Sequence, residues 1–362
     1  MNPDLLFDSD PIVRRTAREL YESVKDLPLV CPHGHVDPAI LSDSDYRFPN
    51  PTVLLITPDH YVTRMLHSQG VDYGQLGLPE SRTNLDDQNA RRTWQIFADN
   101  YHLFRLTPSR LWIDLELSDV FGIDQELNSR NAMNIYDNLD EKLKSPEFSP
   151  RALFDRFGIE VLCTTDAATD TLTHHQLIRD SGWTGDVRPT FRPDGLLKDI
   201  HSRGWRNNVA KLSEVSGIDV HDYQSFIQAL QQRRDYFKQS GAVATDHSVL
   251  VPAFTQLDGM KAEKYFQRAI ARIHGSAGGQ ERYESREFTG HMLMQMAAMS
   301  AEDGLVMQLH PGSFRNYDTQ LFRQYGPDMG ADIPTKTKFT GYLRPMLERF
   351  GNHPNFKLVV FT

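Results

Sequence analysis

The sequence predicts an α/β fold in which short parallel strands alternate with helices, as in a (β/α)8 barrel of TIM type. Three observations carry this prediction. Helical stretches alternate with short apolar runs from residue 150 onwards. Strand after strand ends on its carboxyl side in an ionisable residue, and a barrel collects those ends on one face. The sequence also lacks the glycine-rich phosphate loops that mark many open, doubly wound sheets.

Composition excludes several classes of protein. The 362 residues carry a net charge of −9, and 39% of them are hydrophobic. Such values are ordinary for a globular chain and argue against disorder, a coiled coil and nucleic-acid binding. No apolar run approaches the roughly 20 residues of a membrane span, and the N-terminus lacks a secretory signal. Cys31 and Cys163 are expected to be free thiols in a reducing cytoplasm.

The first helix and the first strand are predicted from the N-terminal residues. Asp10 is a suitable cap, Pro11 suits the first helical position, and the residues from 12 to 24 place an apolar stripe on one face. The apolar run Leu27–Cys31 is expected to form a buried strand. It continues into His33-Gly34-His35, which we place in the loop at its carboxyl end.

Residues 36–149 are predicted to be a mostly helical insertion after the first strand, within a single domain that spans 1–362. The segment is rich in aromatic and charged residues at helical spacing. One helix is expected to start at Pro58-Asp59 and to end before Gly70. Trp94, with Phe97, Tyr101 and Phe104, indicates another.

From residue 150 the sequence predicts a regular alternation of helices and strands. The predicted helices are Arg151–Phe157, His174–Ser181, Tyr223–Gln239, Met292–Ser300 and Tyr342–Phe350. The predicted strands are Ile159–Asp166, Val187–Arg192, Ala242–His247, Leu305–His310 and Phe356–Phe361. With the first strand these make six, whereas a closed barrel needs eight. We therefore expect the last strand of the barrel to be missing from this chain.

His33-Gly34-His35 is the first candidate metal motif. Residues i and i+2 of a strand point to the same face, so two imidazoles can reach one ion. With 14 histidines in the chain, about half of such sequences would contain this triplet by chance. Alone it is weak evidence, but its position at the end of the first strand gives it weight, and His33 and His35 are candidate metal ligands.

Later strand ends supply further candidates, each with a structural alternative. Asp246-His247 could act as an acid–base pair or as ligands, or form a buried hydrogen-bonded pair. Arg192 could hold a substrate carboxylate in a bidentate fork, or pair with Asp194.

Two more candidates lie beyond these. His310, followed by Pro-Gly, is expected at a turn that faces the strand ends. Arg315 could be a second contact for an anion, or it could hold its own loop in place.

Tyr61, judged from the residues alone, is expected to be a core aromatic. Four methionines at close spacing predict core packing rather than a cofactor site; they are Met292, Met294, Met296 and Met299.

Six ordered blocks of the sequence resemble the uronate isomerases. They are Pro32-His33-Gly34-His35-Val36-Asp37-Pro38, Asp59-His60-Tyr61 with Arg64 and Met65, Thr164-Thr165-Asp166, Phe191-Arg192-Pro193-Asp194, Thr245-Asp246-His247, and the run from Met307 to Asn316. The resemblance extends over essentially the whole chain in the same order.

The resemblance implies a fold, a reaction and a site. Uronate isomerases belong to the amidohydrolase superfamily of distorted (β/α)8 barrels. They interconvert D-glucuronate with D-fructuronate and D-galacturonate with D-tagaturonate. By resemblance, His33 and His35 bind one divalent ion, usually taken as Zn²⁺, and Tyr61 lies near the substrate. Arg192 faces the substrate, and Asp246 and His310 face the site.

The resemblance also assigns roles and leaves alternatives open. Tyr61 and Asp246 are the proton-transfer candidates, while Arg192, His310, His247 and Arg315 are expected to contact the uronate. Family chains continue to a last strand that carries an aspartate and an arginine, and this sequence has neither. An inactive isomerase-like shell is therefore one alternative, and a metal-dependent hydrolase, in which the ion would activate water, is the other. A homo-oligomer is the expected assembly.

Overall fold

The computed structural model describes residues 4–79, 85–271 and 278–362; residues 80–84 of the predicted insertion lie outside this set. The chain forms two compact units. The first comprises Met1–Leu29, Asp43–Ile159 and Arg315–Ile333, and the second comprises Val30–Ser42, Glu160–Phe314 and Pro334–Thr362. Within the described residues, no helix is long and apolar enough to cross a membrane.

Helices and strands follow one another along the chain as predicted, although their bounds differ in places. The helices are α1 Pro11–Val24, α2 Ala39–Ser42, α3 Pro51–Leu55, α4 His60–Ser68, α5 Asp87–Asp99, α6 Pro108–Leu115, α7 Ala132–Lys144, α8 Pro150–Arg156, α9 Thr173–Asp180, α10 Asp194–Leu197, α11 Arg203–Ser216, α12 Tyr223–Gln239, α13 Gly259–Ala271, α14 Gly279–Asp303, α15 Thr319–Tyr325 and α16 Phe339–Phe350. The strands are β1 Leu29–Cys31, β2 Ile159–Cys163, β3 Asp166–Ala167, β4 Asp186–Arg188, β5 Phe191–Arg192, β6 Ala244–His247, β7 Val306–Leu309, β8 Ser313–Phe314, β9 Ile333–Pro334 and β10 Leu358–Val360.

The first unit is mainly helical and has its own aromatic core. The predicted aromatic residues Trp94, Phe97, Tyr101 and Phe104 are all buried in it. Trp94 lies on α5, and its indole Nε1–H donates a hydrogen bond to the carbonyl oxygen of Ala132 at 3.0 Å. This bond satisfies a polar atom that would otherwise be costly to bury.

Helix α1 begins as the sequence predicts. The side chain of Asp10 accepts hydrogen bonds from the backbone N–H groups of Ile12 and Val13, and Pro11 occupies the first turn. The first N–H groups of a helix have no acceptor within the helix, so a capping side chain such as this one accepts from them. The apolar stripe of α1 is exposed, with Ile12 at 67% and Leu20 at 65%.

The second unit is an α/β structure built on parallel sheets. One sheet has the strand order β1-β2-β4 and a second has the order β10-β7-β6-β5-β3. Every neighbouring pair in the second sheet is parallel. The register places Asp246 beside Gln308 on β7, and Phe191 beside Thr245. Side chains from three neighbouring strands therefore meet at the carboxyl edge of the sheet.

Two predicted strands are each divided in the structure. The predicted strand Ile159–Asp166 is β2 and β3, and Val187–Arg192 is β4 and β5. Hydrogen bonding continues across both interruptions, from the N–H of Thr164 to the carbonyl of Arg188 at 2.9 Å and from the N–H of Asp166 to the carbonyl of Thr190 at 3.1 Å. β2 and β4 belong to one sheet while β3 and β5 belong to the other.

The expectation that the first strand is buried is wrong. Leu29 and Val30 of β1 are 50% and 59% exposed. The physical reason is that no described element covers these two side chains, and β1 lies at the edge of its sheet with β2 as its neighbour. An apolar sequence run reports the propensity for a strand but not whether other elements cover it.

The core of the second unit packs helices against the second sheet. Phe191, Met307 and Leu309 come from the strands, and Trp205 and Phe226 from the helices. The four methionines of α14 are buried in this core, as predicted.

Candidate active site

The His33-Gly34-His35 segment is fixed against the neighbouring strand. The carbonyl oxygen of Gly34 accepts a hydrogen bond from the hydroxyl of Thr165 at 2.7 Å. A Cβ at position 34 would lie 3.0 Å from the carbonyl oxygen of Cys163. Because that distance is shorter than nearly all real Cβ contacts, glycine lets the histidine segment pack this closely.

Gln308 fixes the ring of His33. The amide Nε2–H of Gln308 donates to the carbonyl oxygen of Pro32 at 2.9 Å, so its Oε1 faces Nδ1 of His33, at 3.1 Å. This orientation assigns the ring proton of His33 to Nδ1 and leaves the lone pair on Nε2 for a ligand. Such a contact is a typical outer-shell support for a metal-binding histidine.

Asp246 is the charged centre of the cluster. It lies on β6, and its side chain is fully buried. Oδ1 lies 2.7 Å from Nε2 of His310 and 3.8 Å from Nδ1 of His33. Oδ2 lies 3.3 Å from Nη1 of Arg192. Burial by itself would raise the pKa of Asp246, but His310, Arg192 and His33 together hold that pKa below its ordinary value.

Three side chains of the second unit converge as a candidate cation site. His33, Asp246 and His310 each offer a ligand atom, and these atoms lie within 4.8 Å of one another. Although Nε2 of His310 approaches Asp246, their orientation is not that of a hydrogen bond. Both Asp246 oxygens and this nitrogen are shielded from solvent and make no hydrogen bond to any described residue. Buried polar atoms without partners are costly, so the set fits a divalent cation that two imidazoles and a carboxylate would bind.

His35 lies beside this set rather than within it. Its ring centroid is 5.0 Å from that of His33. The pKa of His35 is lowered, first by burial and then by its neighbours His33 and Arg192. A lowered pKa favours the neutral imidazole, which is the form that binds metals.

Arg192 contacts two carboxylates, and one of them belongs to Asp194, the structural partner that the sequence offers. Its Nε donates to Oδ2 of Asp194 at 3.0 Å, and its Nη1 lies near Asp246. The register of β5 on β6 explains the second contact, because Phe191 pairs with Thr245 and the following residues are therefore adjacent. The guanidinium is 21% exposed.

The family of this chain follows from comparison with known proteins. The family model for glucuronate isomerase matches residues 6–361. The uronate isomerase of Nostoc punctiforme is 47% identical over 361 residues, which cover 100% of this chain and 75% of that protein. That of Rhizorhabdus wittichii is 46% identical over 362 residues, with 100% and 75% covered. The chain belongs to the glucuronate isomerase family. The chain is therefore an isomerase.

Solved structures of the family share the fold. The crystal structure of glucuronate isomerase from Caulobacter crescentus matches with a TM-score of 0.92 and 40% identity, over 100% of this chain and 74% of that one. A uronate isomerase from Thermotoga maritima matches with a TM-score of 0.85 and 29% identity, over 96% and 73%. The α/β fold with parallel sheets is thus the fold of uronate isomerases.

The remaining predicted site residues are His247, Tyr61 and Arg315. His247 follows Asp246 on β6 and points to the opposite face, where its Nε2 is 3.0 Å from the hydroxyl of Thr245. Burial lowers the pKa of His247 to about 4. Tyr61 and Arg315 belong to the first unit. Tyr61 is 46% exposed, with the Arg64 guanidinium 4.9 Å from its ring centroid, so it is not the core aromatic that the residues alone suggest. Arg315 pairs with Asp332 at 3.3 Å.

Three residues of the site were not singled out from the sequence. Gln308 precedes His310 by two positions, so strand alternation places both on one face. Asp194 was considered only as a rival partner of Arg192. Phe361 follows β10, and its ring centroid is 5.1 Å from that of His33. The alternation of side chains along a strand could have predicted Gln308 from His310. The contact of Phe361 with His33 depends on which strands are neighbours, which the sequence does not display.

Proposed function

We propose that this chain isomerises D-glucuronate to D-fructuronate and D-galacturonate to D-tagaturonate. One observation carries the proposal: the ligand atoms of His33, Asp246 and His310 converge beside the Arg192 guanidinium, at the carboxyl ends of parallel strands. A carboxylate-bearing sugar needs a cation for its C6 group and a polarised carbonyl for its reaction. In this cluster the Arg192 guanidinium could bind the carboxylate, and an ion held by the three ligand atoms could polarise the carbonyl.

His33, Asp246 and His310 are the proposed ligands of one divalent ion, of the zinc type. Two imidazoles and a carboxylate form a donor set that suits Zn²⁺. His35, which the sequence predicts together with His33, is the proposed fourth ligand. A bound ion of this kind supplies Lewis-acid polarisation of a sugar oxygen.

Proton transfer is the chemical step that the protein must provide. The C2–H bond of the open-chain aldose breaks, and a base takes the proton, which leaves an enediolate across C1 and C2. A proton returns to C1, while the C2 hydroxyl proton moves to the oxygen of C1, so that C2 becomes the carbonyl carbon. Asp246 is the proposed base, because its carboxylate lies within this cluster and neither of its oxygens makes a hydrogen bond to a described residue. Tyr61 is the second predicted proton-transfer residue.

Arg192 is the proposed partner of the C6 carboxylate. A planar guanidinium matches a carboxylate in a bidentate fork, and its charge makes those hydrogen bonds about twice as strong as neutral ones. His310, His247 and Arg315 remain predicted substrate contacts. Replacement of Arg192 by alanine should weaken turnover of uronates far more than that of uncharged aldoses.

Proton NMR of each uronate in D₂O tests the reaction directly. The zinc-loaded protein is expected to convert D-glucuronate to D-fructuronate, with solvent deuterium entering at C1. Asp246→Asn should abolish turnover, whereas Asp186→Asn, which alters a more exposed carboxylate of the same unit, should leave it unchanged. No turnover of either uronate by the unchanged protein would contradict the proposal and favour a metal-dependent hydrolase or an inactive isomerase-like shell.

We further propose that the two sheets are parts of one distorted (β/α)8 barrel of the amidohydrolase type. Residues 36–149 would be inserted in it, within a single domain. The hydrogen bonds that continue from β2 to β3 and from β4 to β5 support one continuous strand order. The short distance between His33, after β1, and Phe361, after β10, supports the approach of the carboxyl ends of β1 and β10. That a last strand lies outside this sequence stays a prediction.

Assembly and location also stay predictions. A homo-oligomer in the cytoplasm is the expectation from the sequence. Analytical ultracentrifugation of the purified protein measures the oligomeric state, and fractionation of the source cells tests the location.

A further inference from the structure

Asp194 joins two neighbouring strand ends of the second unit. Its Oδ2 accepts hydrogen bonds from Nε of Arg192 at 3.0 Å and from Nζ of Lys198 at 3.2 Å. Both of its oxygens also accept from the backbone N–H of Ser248, at 3.1 and 3.2 Å. Lys198 closes the cluster with a hydrogen bond to the Ser248 carbonyl at 2.7 Å. Asp194 thus connects Arg192, the last residue of β5, to Ser248, the residue after β6.

These contacts decide which part of the Arg192 guanidinium remains available. Nε is held by Asp194, and Nη1 lies 3.3 Å from Asp246. Nη2 makes no hydrogen bond or ion pair with another residue in the described part of the chain. The outer edge of the guanidinium, formed by Nη1 and Nη2, is therefore the edge that can meet a ligand carboxylate.

We propose that Asp194 is a positioning residue that sets the affinity of this isomerase for the carboxylate of its uronate substrate. The inference rests on the proposed function, in which Arg192 binds that carboxylate. An arginine side chain has several rotatable bonds, and ordering it at the moment of binding costs affinity. Asp194 orders it in advance. The side chain of Asp194 is only 13% exposed, so solvent screens this ion pair weakly.

Asp194→Asn is the informative substitution, with Asp186→Asn as its matched control. Asparagine keeps the shape but removes the charge, and one amide oxygen cannot accept all the present donors. Asp186 also pairs with an arginine two positions away, since its Oδ2 lies 2.6 Å from Nη2 of Arg188 on β4. Its side chain is 39% exposed, however. Calorimetric titration with D-glucuronate should show a dissociation constant raised about tenfold by Asp194→Asn and unchanged by Asp186→Asn.

A double-mutant cycle separates positioning from general stability. If Asp194 acts through Arg192, adding Asp194→Asn to Arg192→Ala should change the dissociation constant no further. In the steady state, Asp194→Asn should raise KM much more than it lowers kcat. Additive effects, or equal effects of Asp194→Asn and Asp186→Asn, would overturn the inference. Absence of binding by the unchanged protein would overturn it together with the Arg192 role, whereas binding without turnover would overturn the isomerase proposal alone.

Discussion

At the level of single residues, Asp246 organises the site. A fully buried carboxylate pays a desolvation cost of several kcal/mol unless charges and hydrogen bonds compensate it. The Arg192 guanidinium supplies charge at 3.3 Å and Nε2 of His310 lies at 2.7 Å, yet neither carboxylate oxygen has a hydrogen-bond donor among the described residues. Such an arrangement stabilises a positive ligand more than it stabilises the unliganded protein.

Gln308→Leu should weaken metal binding through His33. The substitution removes the acceptor that holds the Nδ1 proton, so the ring can rotate and change tautomer. Loss of an outer-shell contact of this type typically costs about 10–100-fold in metal affinity. Competition of the protein with a zinc-binding dye measures the dissociation constant.

Gln228→Leu is the control for this substitution, because Gln228 is an exposed glutamine of α12. It should leave the zinc affinity unchanged. Equal affinities for Gln308→Leu and the unchanged protein would show that Gln308 does not support His33.

How far these residues could be predicted depends on the range of the signal. His33 and His35 stand two positions apart in one segment, so local spacing suffices to propose them. The approach of Asp246 to His310 depends on strand register, since Asp246 pairs with Gln308 rather than with His310 itself. Register is set by turns and packing that a single sequence does not display.

At the level of elements, local signals fix helices better than strands. Helix α12 spans Tyr223–Gln239, as predicted, and its start is fixed because Asp222 and Ser225 form a reciprocal capping box. The predicted strand Ile159–Asp166 is instead divided, because its two parts pair in different sheets. No residue in this run marks the division, so propensity alone could not reveal it.

Gly290→Ala should destabilise α14, contrary to the usual effect of alanine in a helix. A Cβ at this position would collide with the hydroxyl of Thr255 and lie 2.6 Å from the carbonyl oxygen of Ala253. Overpacking of this kind typically costs about 1–3 kcal/mol in the free energy of unfolding. Urea denaturation followed by circular dichroism measures the change.

Gly341→Ala is the matched control in another helix, α16. A Cβ at position 341 has no neighbour within 4 Å, so replacement should stabilise the protein by about 0.5–1 kcal/mol. The prediction for Gly290 fails if both alanine substitutions stabilise the protein alike.

At the level of the whole molecule, two separate cores underlie the fold. The aromatic core of the first unit includes Trp94 and Tyr136, and that of the second includes Trp205 and Phe266. The sequence indicates the change of composition near residue 150 but not that residues 315–333 join the first unit. That assignment depends on long-range contacts, such as the Tyr73 hydroxyl donating to the Met329 carbonyl at 2.6 Å, which leave no periodic trace in the sequence.

Protonation should make the second unit unstable in acid. Burial lowers the pKa of His175 and that of His291 to about 4. In an unfolded chain these groups titrate near 6.5, so between about 6.5 and 4 the unfolded state binds more protons than the folded state. The free energy of unfolding should therefore fall as the pH falls through this range. Asp166 opposes this trend, because burial raises its pKa to about 6, and its own contribution is lost as the pH rises.

His291→Asn isolates one of these contributions. The asparagine oxygen can still accept from the backbone N–H of Leu257, which now donates to Nδ1 at 3.2 Å, but it cannot take up a proton. His353→Asn is the control, because His353 is exposed and its Nδ1 also accepts a backbone N–H, that of Asn355 at 3.4 Å. We expect the urea midpoint, measured between about pH 4 and 7, to depend less on pH in His291→Asn than in the unchanged protein. In His353→Asn it should depend on pH as much as in the unchanged protein. The same pH dependence in both variants would mean that the pKa of His291 does not differ between the folded and the unfolded protein, so that its burial does not drive the acid instability.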